Sequence, residues 1–221
     1  MAWRLDPRLF ESAQAHPAFP PAILHESDGL IVCNKPAHLP STGRDLDDPD
    51  CLQAQLMAHT KRKIWAVHQL DRETTGVNLF VRRRALVDTW SRHLRVGTKT
   101  YVAVVDGAWP RGEETIVAPI ERVDGQPRVV REGRPTHTFV TPLLVRKEAS
   151  LLSVRISTGR THQIRLHLAH RGHPVRGDKN YGRPVGDRQL LHAWRVSCGE
   201  QTWTAPVPED LRDGWPDDAF E

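Results

Sequence analysis

Residues 151–182 read LLSVRISTGRTHQIRLHLAHRGHPVRGDKNYG, and within them the period of the hydrophobic pattern changes. Leu151–Ser157 reads as a strand, and the run stops at Thr158-Gly159. Thr161 then stands where a helix N-cap is wanted and Gly172 where a C′ residue is wanted. This punctuation predicts a helix of about three turns over Thr161–Arg171, with Ile164 and Leu168 turned inward. The first turns would carry His162, Gln163 and Arg165, so that backbone N–H groups, the helix dipole and a guanidinium converge on an anion. That anion is either a phosphate or a protein carboxylate; the pattern also fits a plain basic surface helix.

The histidines of this segment (His162, His167, His170, His173) raise the question of a metal. Positions five apart on a helix diverge by about 140°, only the 167/170 pair shares a face, and no acidic residue lies between them. No metal ligand set is expected.

Working outward, strand-like runs recur at Leu30–Asn34, Val77–Val81, Thr100–Val105 and His137–Pro142. Helical runs are fewer: Cys51–Lys61, with Leu52, Leu56 and Met57 on one side, and Ala85–Arg95, with Leu86, Trp90 and Leu94 at i, i+4, i+8. Strands scattered among helices, without strict βαβ alternation, predict an α+β fold: a single domain on a mainly antiparallel mixed sheet with flanking helices.

A chain of 221 residues can bury such a core unaided. No apolar run approaches a membrane span, and the opening MAWRLDPRLFESAQAHPAFPPA has no apolar h-region, so neither a membrane nor a secretory address is expected. Cys33, Cys51 and Cys198 are odd in number and form no CxxC pair, which fits a reducing cytoplasm. The net charge of +4 conceals an asymmetry: residues 205–221 hold six acids and one base, leaving 30 bases against 21 acids in the first 204. The clusters Lys61-Arg62-Lys63, Arg82-Arg83-Arg84 and Arg155/Arg160/Arg165/Arg171/Arg176 suit a polyanion, although any one of them reads equally as a solvated face.

Two further stretches hold candidate chemistry. In AVHQLDRETTGVNLF (66–80) a carboxylate, Asp71, sits between apolar runs at a turn, where an aspartate ordinarily bonds its own backbone. In KTYVAVVDG (99–107) Tyr101, Ala103 and Val105 share one strand face, so Tyr101 is either packing or a stacking platform. GxGxxG, GxxxxGK[ST] and GxSxG are all missing, which leaves nucleotide-cofactor, P-loop and α/β-hydrolase readings without support.

Taken jointly, HQLDRETTG (68–76), KTYVAVVDG (99–107), GRTHQIRLH (159–167), GHPVRGDxxYG (172–182), LLHA (190–193) and APVPEDL (205–211), with NKP at 34–36, resemble the RluA-type pseudouridine synthases in order and spacing. The resemblance covers about 23–211, leaving 1–22 as an N-terminal extension and 212–221 as an acidic tail, and it is to short members without an S4 domain. It implies a central RNA-binding cleft and isomerisation of uridine to pseudouridine in a stem-loop of rRNA or tRNA, by a monomer needing no cofactor or metal. It also implies Asp71 as the essential carboxylate, Tyr101 stacking on the target base, Arg165 pairing with the aspartate, and Leu191 on the floor of the uracil pocket. Gln69, Arg72, Arg160, His162 and Gln163 are the further candidates for substrate binding.

These roles are chemically coherent. Breaking a glycosidic bond builds positive charge at C1′, which an ionised carboxylate stabilises, and a neighbouring guanidinium favours the ionised form. The target base must first leave the RNA stack, so phosphate contacts and a stacking surface are needed. The chain departs from the family pattern at Gln69, where an arginine that can enter the RNA is usual, with Arg72 or Arg44 as replacements, and at His38, where NKPxG would place glycine. Two rival readings are a non-catalytic RNA-binding or RNA-folding protein on the same scaffold and a glycoside or nucleoside hydrolase. The hydrolase reading lacks a second carboxylate in these motifs.

Overall fold

The computed structural model describes residues 7–27, 29–45, 48–110 and 112–220. Helix α1 (Pro7–Ala15) precedes an antiparallel pair, β1 (Ala22–Glu26) and β2 (Leu30–Lys35). Then come α2 (Leu52–Thr60), β3 (Trp65–Ala66) and β4 (Thr75–Val81), and a single tight turn at Arg84–Leu86 leads into α3 (Val87–Val96). Five strands follow: β5 (Thr98–Asp106), β6 (Glu114–Val123), β7 (Gln126–Val129), β8 (Pro135–Val145) and β9 (Ala149–Ile156). Helix α4 (Gln163–His170), β10 (Leu191–Cys198), β11 (Gln201–Thr204) and the short α5 (Glu209–Arg212) complete the order.

Eleven strands form one sheet in the order β1-β2-β4-β10-β5-β9-β8-β6-β7, with β11 on β10 and β3 on β4. Among the described residues every ladder is antiparallel except that of β4 with β10. This is the expected α+β arrangement. Strand β4, TGVNLFV, is buried at every position because both sheet faces are covered there. Phe80 faces α2 together with Ile31 and Cys33, while Leu79 and Val81 face Leu94 of α3 and Trp203 of β11. Along β5 the expected alternation holds: Tyr101, Ala103 and Val105 pack with Ile164 and Leu168 of α4, and Val102 and Val104 pack with Leu211 on the other side.

Two expectations change. Helix α2 is buried around its circumference from Leu52 to Ala58, not along one apolar side, because Ala13 of α1 joins the same cluster on its outer face. Thr161 does not cap α4; His162 occupies that position with φ 55°, so the helix begins at Gln163 and the loop before it turns more sharply than a threonine cap would. Residues from the expected acidic tail lie against the sheet, with Trp215 and Phe220 packed on the Val102 cluster and Arg146 donating to the Gly214 carbonyl while its guanidinium lies over the Trp215 ring.

The parallel contact between β4 and β10 joins HQLDRETTG to LLHA. Gly76 has φ +108° and opposes Ala193, and a Cβ there would meet the Ala193 carbonyl oxygen at 2.2 Å. Only glycine fits. Next to it the buried His192 ring bonds the Thr75 hydroxyl through Nδ1 at 2.8 Å and the Ala205 carbonyl through Nε2 at 3.3 Å.

Burial lowers the His192 pKa to about 4, against an ordinary 6.5. Above pH 6.5 the ring is neutral whether the chain is folded or unfolded. As the pH falls from 6.5 toward 4, only the unfolded chain takes up the proton, so stability is lost by up to roughly 3 kcal/mol from this group. Thermal unfolding followed between pH 7 and pH 4 is expected to show this loss, and His192→Gln to make the curve shallower over that window, the remainder coming from His68, whose pKa burial also lowers to about 4.

Candidate active site

A cleft of about 1230 Å³ opens between the 67–73 loop, the start of β5, the 156–162 loop and the turn at 177–180. Asp71 stands on its wall, and the backbone on either side of it is fixed by buried polar bonds. On one side the Leu70 amide donates to Ser41 Oγ at 2.9 Å, the Ser41 hydroxyl donates to Asn78 Oδ1 at 2.6 Å, and Asn78 Nδ2 donates to the His68 carbonyl at 3.0 Å. On the other, Lys35 Nζ donates to the carbonyls of Arg72 (2.9 Å), Leu39 (2.6 Å) and Pro36 (2.8 Å). Burial pushes Lys35 down to about 7, with Glu73 and Asp71 opposing the shift; yet three carbonyls engage three N–H donors, a set that only the ammonium supplies. Within this frame the Thr74 amide closes a turn on the Asp71 carbonyl at 3.0 Å.

The Asp71 carboxylate therefore does not behave as an ordinary turn aspartate. Its Oδ2 accepts from Arg165 Nη1 at 2.8 Å, and its Oδ1 lies 3.7 Å from His162 Nε2. Arg165 is buried in α4, where Nε and Nη2 fork onto Asp178 at 2.7 and 2.8 Å. Burial opposes the charge on Arg165, but hydrogen bonding to Asp178 and the charge of Asp71 outweigh it and hold its pKa above the ordinary value. For Asp178 burial likewise works against ionisation, and the Arg165 fork, with the amides of Asn180 and Tyr181, overcomes it and keeps the carboxyl below its ordinary range. The anion that faces Arg165 is thus a protein carboxylate, twice over.

Around this pair, His162 Nδ1 meets the Tyr181 hydroxyl at 2.8 Å and the Arg165 guanidinium lies 5.1 Å from the Tyr181 ring centroid. Burial lowers the His162 pKa, with Asp71 opposing, which favours the neutral ring. Tyr101 lines the cleft with little exposure; burial and then the Asp71 charge raise its pKa, so it presents a neutral phenol and a ring face. Exposed cations stand at the rim: Arg72, Arg95, Arg134, Arg160 and Lys179.

Gln69 lines the cleft too, its amide donating to Thr42 Oγ1 at 2.9 Å. Arg72 is on the cleft wall, whereas the exposed Arg44 lies beside Asp48 and outside the cleft lining. Gln163 and Leu191 are not among the residues that line the cleft. Gln163 is buried, with Oε1 accepting from Thr158 and from the Arg160 amide and Nε2 donating to the His137 carbonyl, so it shapes the loop before α4 and is not part of the cleft lining. Leu191 lies beneath the lining, in one cluster with Leu70 and Tyr101. Of the clustered histidines, His167 is buried against the hydroxyls of Thr136 and Thr138 and His173 bonds the Asp106 carbonyl; among the described residues no group of three or more potential metal ligands is found.

Sequence reasoning missed Lys35, Asp178 and Arg188. Arg188 forks onto Asp210 of α5 at 2.6 and 2.8 Å and donates to the Glu73 carbonyl at 3.2 Å, tying the APVPEDL segment to the Asp71 turn. All three residues lay in or near motifs, but a charged side chain in a polar stretch gives no sign that it will be buried. His38 adopts φ 61°, the conformation that explains why glycine suits that position, and its ring contacts Glu73 at 2.7 Å and Asp187 at 2.9 Å.

Lys35→Met leaves three carbonyls without their donor and is expected to lower stability by about 3 kcal/mol in denaturant titration. The same variant is expected to retain its fold by circular dichroism.

A family model described as RNA pseudouridylate synthase matches residues 29–170. The chain is 32% identical over 230 aligned positions to ribosomal large subunit pseudouridine synthase D of Nitrosomonas europaea, covering 91% of this chain and 67% of the relative. It is 33% identical to an RNA pseudouridine synthase of Bacillus subtilis, covering 86% and 70%, and 34% identical to ribosomal large subunit pseudouridine synthase C of Escherichia coli, covering 77% and 56%. Among solved structures, human RNA pseudouridylate synthase domain containing 4 superposes with a TM-score of 0.72 at 21% identity over 92% of this chain and 94% of its own. Human RNA pseudouridylate synthase domain containing 1 gives 0.72 at 24% identity over 89% and 88%. These two likenesses concern the fold.

Proposed function

The chain belongs to the RluA-type RNA pseudouridylate synthase family, and from that premise we propose that it isomerises a uridine in structured rRNA or tRNA with Asp71 as the reacting carboxylate. The observation that carries this reading is Asp71 on the wall of a cation-rimmed cleft, its Oδ2 held by Arg165 at 2.8 Å. The target nucleotide leaves the RNA stack and enters the cleft, where the Tyr101 ring offers a stacking face. Cleavage of the C1′–N1 bond develops oxocarbenium-like charge at C1′, and the Asp71 carboxylate stabilises it. The freed uracil rotates and C5 bonds to C1′. The proton on C5 is then lost and N1 carries a proton in the product, so the change is an isomerisation with no net loss or gain of atoms.

Arg165 contributes by holding the Asp71 side chain in one orientation through its hydrogen bond. Arg160, Arg134, Arg95 and Lys179 at the rim are suited to the phosphates on either side of the extruded nucleotide. Gln69 meets the RNA as an uncharged hydrogen-bonding group, with Arg72 next to it as a cation.

Asp71→Asn is expected to abolish pseudouridine formation, measured by mass spectrometry of RNA after incubation, while RNA affinity changes less than about threefold. Isomerase activity retained in that variant would overturn the assignment. Arg160→Ala is expected to weaken RNA binding and to reduce the slope of log K against log salt by about 1, read from binding isotherms at several salt concentrations.

A further inference from the structure

Tyr181, whose hydroxyl meets His162 Nδ1 at 2.8 Å beside the cleft, also lines a second hollow, a groove of about 540 Å³ between β7 and helix α4. The alternation of β7 shapes one wall: Pro127 turns inward and is buried, while Gln126 and Arg128 stay exposed. On α4, Leu166 and Ala169 stand at i, i+3 and so share a face, and the single methyl of Ala169 leaves room above the helix. Strand β7 ends the sheet and pairs with β6 alone, so no further strand occupies the space beside it.

Resting on the reading of the cleft as the uridine site, we propose that this groove is a second base-binding subsite, which takes the nucleobase of the nucleotide next to the target uridine. Its floor of Pro127, Leu166 and Ala169 is apolar, as a flat ring requires, and its volume is that of a small-ligand site. At the rim, the side-chain amides of Gln126 and Asn180 make no hydrogen bond among the described residues. Each amide offers a donor and an acceptor, the pair that a base edge demands. Arg128 adds one cation and no described residue of the lining is a carboxylate, so the phosphate that accompanies the base meets no repulsion.

The choice of a neighbouring nucleotide follows from Asn180, which lines the cleft and the groove alike. Its backbone is fixed, the amide donating to Asp178 Oδ1 at 2.9 Å, so the junction between the two hollows does not drift. A strand whose uridine fills the cleft therefore reaches the groove with the adjoining residue. Extruding the uridine also removes a stacking partner from that neighbour. The groove returns apolar contact and edge hydrogen bonds to a base that has lost them, which is the manner in which single-stranded RNA is read.

The test pairs changes in the protein with changes in the RNA. In the stem-loop that the parent enzyme modifies, each nucleotide flanking the target uridine is replaced in turn by an abasic ribose. One of the two replacements is expected to lower kcat/KM about tenfold, and the other to change it little. Ala169→Phe, which fills the groove, is expected to cost about the same factor on the complete RNA and to make the sensitive abasic replacement cost nothing further. Indifference of the parent to both replacements, a parental Ala169→Phe, or losses that multiply when protein and RNA changes are combined would each overturn the proposal. A groove that serves a segment of another protein gives the first two of these results. If Ala169→Phe does not fold by circular dichroism, Gln126→Ala on the exposed side of β7 decides: a loss of about threefold on the complete RNA, absent on the abasic one, is expected, and equal losses on both are the contrary result. Pseudouridine formed normally without sensitivity to either neighbour removes only the subsite, whereas failure to form pseudouridine in any RNA removes the reading of the cleft.

Discussion

The Arg165 guanidinium, forked onto Asp178 and reaching Asp71, is the interaction on which the cleft depends. It joins three segments far apart in the chain: the 67–73 loop, helix α4 and the turn that contains Gly177 and Asp178. Each carboxylate alone would be an awkward group to place in a partly dry site, and the guanidinium alone would be worse. Together they supply one another's hydrogen bonds in fixed directions. The low dielectric that makes unpaired charge costly is the same condition that makes a paired one directional.

A cleft of this kind needs a rigid frame, and the sheet provides it. Strand β4 is covered on both faces, and the parallel approach of β10, close enough to exclude any side chain at Gly76, brings LLHA beside the Asp71 turn. Ser41, Asn78 and Lys35 then hold the turn by its backbone, and the Asp71 side chain faces the cleft and Arg165. The hydrogen bonds of Lys35 go entirely to carbonyls, which marks it as part of the frame.

Much of this was legible along the chain. The strand-like runs at Leu30, Val77, Thr100, His137 and Leu151 all became strands, because short runs rich in β-branched residues or alternating in polarity suit a pleated, buried surface. Tyr101 and Ile164 were on the faces that the pattern assigned to them. The strands β6 and β10 were less visible, since proline, charge and histidine interrupt their periodicity. The start of α4 was misread because Thr161 has the right chemistry for a cap, whereas the close packing of the 158–163 loop, with Gln163 bonded to Thr158 and to the Arg160 amide, moves the helix start two residues on.

Sequence alone determined the family and five of the eleven sheet strands, and it singled out Asp71, Tyr101 and Arg165 as candidates, because motif order and hydrophobic period are local properties of the chain. It was silent on which polar groups go inside. Whether Gln163 faces substrate or its own loop, whether Lys35 is a surface base or a buried clamp, and whether Asp178 is a turn residue or the partner of Arg165 were decided by the tertiary structure. Burial of a charged or amide side chain requires partners supplied by distant segments, and those partners exist only once the sheet has brought the segments together.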